Sequence, residues 1–282
     1  MTTPADFEHD YADVNGTRLH YVTAGEGHPL VLLPGWPRTW WQFHQAIPLL
    51  AKRYRVIAVD IRGMGDSAKP ESGYDKKNMA RDIHELIHHL GYQRAHVSGD
   101  DIGGMVSFSL AWNHPESVAG LVIGDGMHPN PGFESFSMIR KPGQLVYPWW
   151  WATGATERLP ESWFAGKFRE IIDWNIEHIG GDPSRFSEQT RDIYAAGYDT
   201  AEAIRATNGW FRTFHQDIVD YGSYGKLDKP LLYLGGTLLE VSKHWVQEIA
   251  PNATFQFFAD TGHFMPEEQP KQWAEALIKH FG

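Results

Sequence analysis

Short apolar runs alternate with amphipathic segments along most of the chain. The apolar runs lie at 30–33, 56–61, 95–98, 121–124, 231–234 and 254–258. Because they are apolar at successive positions, they are typical of strands that are buried on both faces. Between them, apolar residues recur at helical spacing, which predicts helices over 40–51, 78–90, 103–113, 242–250 and 271–280. This alternation predicts an α/β fold with a mostly parallel central sheet flanked by helices.

A hairpin precedes the first of these runs. Segments 7–13 and 17–23 alternate apolar and polar residues on either side of Asn15-Gly16. An Asn-Gly pair favours a tight primed turn, because both residues tolerate a positive φ. We therefore expect two antiparallel strands at the start of the sheet.

The alternation of strands and helices stops between Met127 and Lys226. This stretch predicts helices only, over 161–179, 187–197, 201–206 and 208–217, and it is rich in tryptophan. We expect residues 1–127 and 226–282 to form the core and residues 128–225 to form a helical cap, called the cap segment below. A cap over the carboxyl edge of the sheet covers the place where α/β folds bind ligands. Its predicted substrate-binding aromatic residues are Trp149, Trp150, Trp151, Trp210 and Phe211.

Composition narrows the classes of function. The 25 Lys and Arg residues against 35 Asp and Glu residues give a formal net charge of −10, which disfavours nucleic acids and anionic membranes as partners. With no cysteine, disulfides and thiolate chemistry are excluded. The N-terminal sequence has no basic start followed by an apolar stretch, so we expect a cytoplasmic protein, a monomer or a homodimer, with a small-molecule substrate.

A glycine-rich turn follows the predicted strand 95–98. It has the sequence Gly99-Asp100-Asp101-Ile102-Gly103-Gly104 and leads into a predicted helix. A small-x-nucleophile-x-small pattern between a strand and a helix is typical of a nucleophile elbow, here with a carboxylate at the third position. Asp101 is therefore the predicted nucleophile.

Several motifs together resemble the α/β-hydrolase superfamily, and specifically its branch of epoxide hydrolases and dehalogenases with an aspartate nucleophile. Besides the elbow, they are Leu33-Pro34-Gly35-Trp36-Pro37, Asp60-Ile61-Arg62-Gly63-Met64-Gly65-Asp66-Ser67 and Thr261-Gly262-His263. The resemblance covers nearly the whole chain. It implies the α/β-hydrolase fold with an inserted helical cap, His263 as the general base, and the backbone N–H groups of Trp36 and Ile102 as the oxyanion hole.

The implied reaction suits these residue types. An aspartate is ionised at neutral pH, so Asp101 can attack a saturated carbon and form an ester without a base to activate it. His263 then deprotonates the water that hydrolyses the ester. The carboxylate that orients His263 is either Asp125, after the strand at 121–124, or Glu240, after the strand at 231–234; we favour Asp125.

An epoxide substrate needs a donor for the ring oxygen. The resemblance implies that Tyr147 is this donor, and that a second cap tyrosine is replaced by Phe211. Trp210, Tyr194 and Tyr198 are the candidates to take over from that second tyrosine. We therefore predict an epoxide hydrolase that opens an apolar or aromatic epoxide to a vicinal diol through an ester on aspartate.

Two alternatives stay open. One is a haloalkane-type dehalogenase. Against it, Ile102 stands where haloalkane dehalogenases have a tryptophan that binds the halide, and neither Ile102 nor Met105 is the arginine with which haloacetate dehalogenases bind a carboxylate. The other is an epoxide-opening cyclase or a ligand binder on the same fold.

One motif points to a metal. His84-Glu85-Leu86-Ile87-His88 matches H-E-x-x-H on a predicted helix, but a third ligand with the spacing of zinc proteases does not follow in the sequence. We expect neither a metal nor a cofactor.

Overall fold

The computed structural model describes residues 2–137, 139, 142, 147–236 and 239–282. Its centre is an eight-stranded sheet in the order β1-β2-β4-β3-β5-β6-β7-β8. The strands are β1 (Glu8–Val14), β2 (Thr17–Ala24), β3 (His28–Leu33), β4 (Tyr54–Asp60), β5 (Ala95–Asp100), β6 (Val118–Gly124), β7 (Leu231–Gly235) and β8 (Thr254–Phe257). β1 pairs with β2 and β2 with β4 in antiparallel fashion, and the remaining pairs are parallel. This confirms the predicted α/β fold.

The sheet follows from the two strand patterns in the sequence. In β3 and β4 nearly every residue is buried, as expected of strands that have helices on both faces. The hairpin between β1 and β2 turns at Asn15 and Gly16, whose φ angles are 44° and 69°. This is the primed turn that Asn-Gly favours.

The α-helices surround the sheet and continue through the cap segment. They are α1 (Ile47–Leu50), α2 (Lys76–His89), α3 (Ile102–Asn113), α4 (Trp149–Ala155), α5 (Leu159–Phe164), α6 (Phe168–Ile179), α7 (Glu188–Tyr198), α8 (Ala201–Arg212), α9 (Phe214–Tyr221), α10 (Leu239–Ile249), α11 (Met265–Glu268) and α12 (Pro270–Phe281). Short 3₁₀ helices lie at Pro4–Asp6, Trp40–Phe43, Pro115–Ser117, Pro131–Ser135 and Pro183–Arg185. Of the described helices, none is long and apolar enough to cross a membrane.

Some predicted helix boundaries were wrong. The predicted helix over 40–51 is a 3₁₀ turn followed by α1, with Pro48 in the first turn of α1. The predicted helix over 161–179 is split into α5 and α6 at Gly166, which has a φ of 74°. The break predicted at 207 lies at Thr213 instead, between α8 and α9.

The cap segment lies between β6 and β7. In its described residues it contains helices and no strand, as predicted. Its exact limits, 128 and 225, stay a prediction. Because it follows β6, the segment begins at the carboxyl edge of the sheet, where the candidate site is built.

Candidate active site

The nucleophile elbow joins β5 to α3. Asp101 lies between them in a strained conformation with a φ of 50°, which an L-residue adopts at a cost of about 1–3 kcal/mol. Gly103 permits this turn, because a Cβ atom there would lie 2.1 Å from the carbonyl oxygen of Leu33. Its N–H group donates to the carbonyl of Pro34 at 3.1 Å. The elbow is thereby held against the loop that follows β3.

That loop supplies a hydrogen bond to the Asp101 carboxylate. The backbone N–H of Trp36 donates to Asp101 Oδ1 at 2.9 Å. Ile102 is the first residue of α3, and its N–H also favours the charged form of Asp101. The two predicted oxyanion-hole groups therefore lie beside the same carboxylate.

His263 lies between two carboxylates. Its Nε2 is 3.5 Å from Asp101 Oδ2, and its Nδ1 is 3.6 Å from Asp125 Oδ2. Asp125 directly follows β6 and is held by its backbone N–H, which donates to Leu234 at 3.1 Å. The alternative acid, Glu240, has a side chain that is 81% exposed and lies 3.7 Å from Lys243. Asp125, and not Glu240, therefore faces the imidazole.

The three groups shift one another's ionisation. Burial works to raise the pKa of Asp101, but the hydrogen bond and charge of His263 outweigh it, and the pKa is lowered. Burial works to lower the pKa of His263, whereas Asp101 and Asp125 raise it to about 9. Burial raises the pKa of Asp125. The resting site is thus an imidazolium paired with the ionised Asp101.

The loop of His263 is tied to the cap segment. The backbone N–H of His263 donates to the carbonyl of Ile179, the last residue of α6, at 2.8 Å. A Cβ atom on the preceding Gly262 would lie 2.3 Å from the backbone nitrogen of Gly181. The end of α6 and the histidine loop are therefore in backbone contact.

Behind the elbow lies a second, fully buried carboxylate. Asp100 Oδ2 accepts a hydrogen bond from Gln42 Nε2 at 2.7 Å, and Gln42 Oε1 accepts one from the N–H of Gly35 at 3.1 Å. Burial raises the pKa of Asp100 to about 7. Gln42 thus links the loop that holds Trp36 to the strand that ends before Asp101.

A cavity opens in front of Asp101 and has a volume of about 710 Å³, its open mouth included. The residues that line it are Asp101, Ile102, Met105, Asp125, Met127, Phe133, Phe136, Trp150, Trp151, Ile179, Phe211, Val241, Ser242 and His263. Apart from the three ionisable groups and Ser242, these residues are apolar or aromatic.

Only part of the predicted aromatic set lines the cavity. Trp150, Trp151 and Phe211 do so. Trp149 instead packs edge-on against Trp174, with ring centroids 5.5 Å apart. Trp210 is fully buried, and its indole N–H donates to the carbonyl of Arg62 at 2.9 Å.

The tyrosines proposed as donors lie elsewhere in the described residues. Tyr147 is half-buried and does not belong to the cavity lining. Tyr194 and Tyr198 are buried and donate to Glu267 and to the carbonyl of Arg38, respectively. Neither of these two hydroxyls is therefore free to take the role of the second cap tyrosine that the resemblance implies.

Sequence reasoning missed most of the apolar lining. Met127 follows Asp125 by two residues, so its place at the end of β6 was a usable indication. Phe133 and Phe136 belong to or adjoin a 3₁₀ helix at the start of the cap segment, and Phe133 stacks on Trp151 with centroids 4.7 Å apart. Ser242 comes from α10, where an amphipathic pattern does not show which residue faces the site.

Comparison with known proteins decides the family. A family model described as the alpha/beta hydrolase fold matches residues 28–157. A soluble epoxide hydrolase of Corynebacterium sp. (strain C12) is 35% identical over 289 residues, which cover 98% of each chain. The chain belongs to the epoxide hydrolase family of α/β-hydrolases. As a member of the epoxide hydrolase family, it is a hydrolase.

Two further relatives agree with membership of the epoxide hydrolase family. A solved structure of the epoxide hydrolase CorEH, without ligand, superposes with a TM-score of 0.87 at 33% identity and covers 98% of both chains. A fluoroacetate dehalogenase of Burkholderia sp. is 28% identical over 96% of this chain and 92% of its own. The chain is thus similar to epoxide hydrolases and, at lower identity, to a dehalogenase, as the sequence motifs indicated.

Proposed function

We propose that the protein opens an apolar or aromatic epoxide to a vicinal diol through a covalent ester on Asp101. The observation that carries this proposal is the different engagement of the two carboxylate oxygens. Oδ1 accepts the N–H of Trp36, while Oδ2 is 3.5 Å from His263 Nε2 and belongs to a residue that lines the cavity. Oδ1 therefore already lies in the proposed oxyanion hole, and Oδ2, beside the imidazole, is the oxygen that we assign to the attack.

In the first step, Asp101 Oδ2 attacks a ring carbon of the epoxide. The carbon–oxygen bond of the ring breaks, and its electron pair passes to the ring oxygen, which becomes an alkoxide. This alkoxide needs a proton, and His263 holds one because its pKa is raised to about 9. The prediction that Tyr147 hydrogen-bonds the ring oxygen stays a prediction.

In the second step, the ester is hydrolysed. Neutral His263, oriented by Asp125, takes a proton from water, and the hydroxide adds to the carbonyl carbon of Asp101. The N–H groups of Trp36 and Ile102 stabilise the oxyanion on Oδ1. When the intermediate collapses, the diol leaves with the proton from His263. The new carboxylic acid of Asp101 then returns its own proton to His263 and restores the ion pair.

The cavity lining supports an uncharged substrate. Among the described lining residues there is no lysine or arginine, so the carboxylate of a haloacetate would lack a strong cationic partner. The similarity to a fluoroacetate dehalogenase keeps halide release as the second candidate function. In that case the same Asp101 oxygen would displace a halide instead of opening a ring.

The experiment that tests the ester mechanism uses a His263→Gln variant. We expect it to form the ester more slowly, because the alkoxide must then take its proton from water, and to accumulate the ester, because the base that activates water for hydrolysis is missing. After mixing with a panel of aromatic epoxides and haloalkanes, intact mass spectrometry should show an adduct with the full mass of the epoxide. The matched control is the His263→Gln, Asp101→Asn double variant, which should show no adduct.

Two other outcomes would contradict the proposal. An alkyl adduct without halogen, formed from haloalkanes alone, would establish a dehalogenase. An epoxide adduct that persists in the double variant would show that Asp101 is not the nucleophile.

A further inference from the structure

A cluster of imidazoles lies at the far end of α3 from the nucleophile. His84 belongs to α2, and His114 directly follows the last residue of α3. Their rings stack with centroids 4.1 Å apart, and the ring of His88 meets that of His84 edge-on at 4.6 Å. Glu116, from the 3₁₀ helix before β6, completes the cluster. Because α3 has 12 residues, the cluster is about 18 Å from Asp101 along the helix axis.

We propose that His84, His114 and Glu116 form a binding site for a divalent transition-metal ion of the zinc or nickel type. Imidazole nitrogens and carboxylate oxygens are the ligands such ions prefer when no thiolate is available. The three ligand atoms lie within 4.8 Å of one another. His88 lies at the edge of the site, where the imidazole or a water can provide a fourth ligand.

The distances are close to those of a bound ion. Glu116 Oε1 is 3.8 Å from the Nδ1 atoms of both His84 and His114. Tetrahedral ligands about 2.1 Å from a metal are about 3.4 Å apart, so Glu116 has to approach each histidine by only a few tenths of an ångström. Glu116 can make this movement, because its side chain is 61% exposed. The two stacked imidazole rings must also turn, so that a nitrogen of each points at the ion.

The contact that competes for His84 can be replaced. His84 Nδ1 is hydrogen-bonded to Ser117 Oγ at 2.7 Å, and a serine hydroxyl can rotate when a metal takes its place. The nearby cation Arg81 is paired with Glu85, 2.8 Å away.

The site differs from the one that the H-E-x-x-H motif describes. In zinc proteases the two histidines of the motif bind the metal together, and a third ligand follows in the sequence. Here the further ligands come from the end of α3 and the following turn, which sequence spacing could not indicate. The ion would join α2 to the connection between α3 and β6, at the opposite end of α3 from Asp101.

The test is a titration of the metal-free full chain with ZnCl₂ and NiCl₂ by isothermal calorimetry. We expect one equivalent to bind, and the midpoint of thermal unfolding to rise with metal concentration. His84→Ala and His114→Ala should each weaken binding at least about tenfold, and Glu116→Gln should weaken it less.

His89→Ala is the matched control, because His89 is an exposed histidine on the same helix outside the cluster. It should bind like the parent protein. Unfolding midpoints measured without metal show whether each variant is folded. The proposal is overturned if binding does not saturate below about 1 mM. It is also overturned if affinity is the same in the folded His114→Ala variant, which would leave only an adventitious site on α2.

Discussion

In the proposed mechanism, Asp101 and His263 control each other's charge in the order that the reaction needs. While Asp101 is an anion, it helps to hold the pKa of His263 at about 9, so the imidazole keeps its proton. Ester formation removes that negative charge. The pKa of His263 must then fall, and the imidazole becomes a base at the point when water has to be activated. A separate switch is unnecessary.

This coupling predicts the pH dependence of ester formation. Below about pH 9, His263 is an imidazolium that can protonate the alkoxide. Above about pH 9, His263 has lost this proton. We therefore expect the rate constant of ester formation to fall as pH rises through about 9. Asp125→Asn should move this limb to lower pH, because it removes one of the two carboxylates that raise the pKa of His263. The measurement is single-turnover kinetics across the pH range.

Glu240→Gln is the control for this profile. Glu240 is exposed and paired with Lys243, so its neutralisation should leave the alkaline limb in place. The opposite result, in which only Glu240→Gln moves the limb, would make Glu240 the orienting acid.

Individual residues differ in how far the sequence could predict them. Asp101 could be predicted from the sequence, because the glycines around it are typical of a strained turn between a strand and a helix. Asp125 was favoured over Glu240 by the resemblance alone, since both follow a strand at the same sheet edge and the path of the chain decides which one faces His263. The indoles of Trp149 and Trp150 are one residue apart on a helix and therefore point about 100° apart. Their burial depends on the neighbouring helices.

At the scale of elements, the elbow depends on close contact between α3 and the loop after β3. Gly103 and Gly104, which are adjacent in α3, differ in how closely other atoms approach them. A Cβ atom on Gly103 would lie 2.1 Å from the carbonyl oxygen of Leu33, whereas one on Gly104 would be 3.1 Å from Ile123 Cγ2 and the Cα of Gly126. Position 103 meets backbone that cannot move without displacing Trp36.

Substitution of these two glycines tests this contact. We expect Gly103→Ala to lower the free energy of unfolding by about 1–3 kcal/mol and to slow ester formation, because the oxyanion loop must shift. Gly104→Ala, the matched control, should cost less than about 1 kcal/mol, since helix propensity offsets its milder crowding. Denaturant unfolding and single-turnover rates measure both effects. Equal losses in the two variants would contradict the role given to Gly103.

Elements as such were largely predictable. The strands and core helices follow from apolar periodicity, and their predicted ranges agree with β3 to β8 within a few residues. Helix breaks were harder to place. Gly166 interrupts the predicted helix over 161–179 because its φ is positive. Thr213 ends α8, where its hydroxyl donates to the carbonyl of Tyr74. The spacing of apolar residues gives no information about such a hydrogen bond.

At the scale of the whole molecule, a buried ion pair fastens the cap segment to the core. Lys76 Nζ, at the start of α2, is 2.9 Å from Asp217 Oδ2 of α9, and both side chains are at most 1% exposed. The ammonium also donates to the carbonyl of Trp210 at 2.8 Å. Removal of one partner would leave the other charge buried and unpaired.

We expect Asp217→Ala to lower the free energy of unfolding by about 3–5 kcal/mol. The double variant Lys76→Met, Asp217→Leu should recover at least half of this loss, because apolar side chains of similar size carry no charge to desolvate. Glu240→Ala, which removes an exposed pair with Lys243, should cost less than about 1 kcal/mol. Urea unfolding measures all three. A loss of under about 1 kcal/mol in Asp217→Ala would show that the pair does not fasten the cap.

The backbone hydrogen bond from His263 to Ile179 has a consequence for timing. The general base is held in part by the last residue of a cap helix, so the cap cannot move away without disturbing the base. Because the proposed reaction uses His263 in both steps, any exchange of substrate or product that required α6 to move would also suspend catalysis.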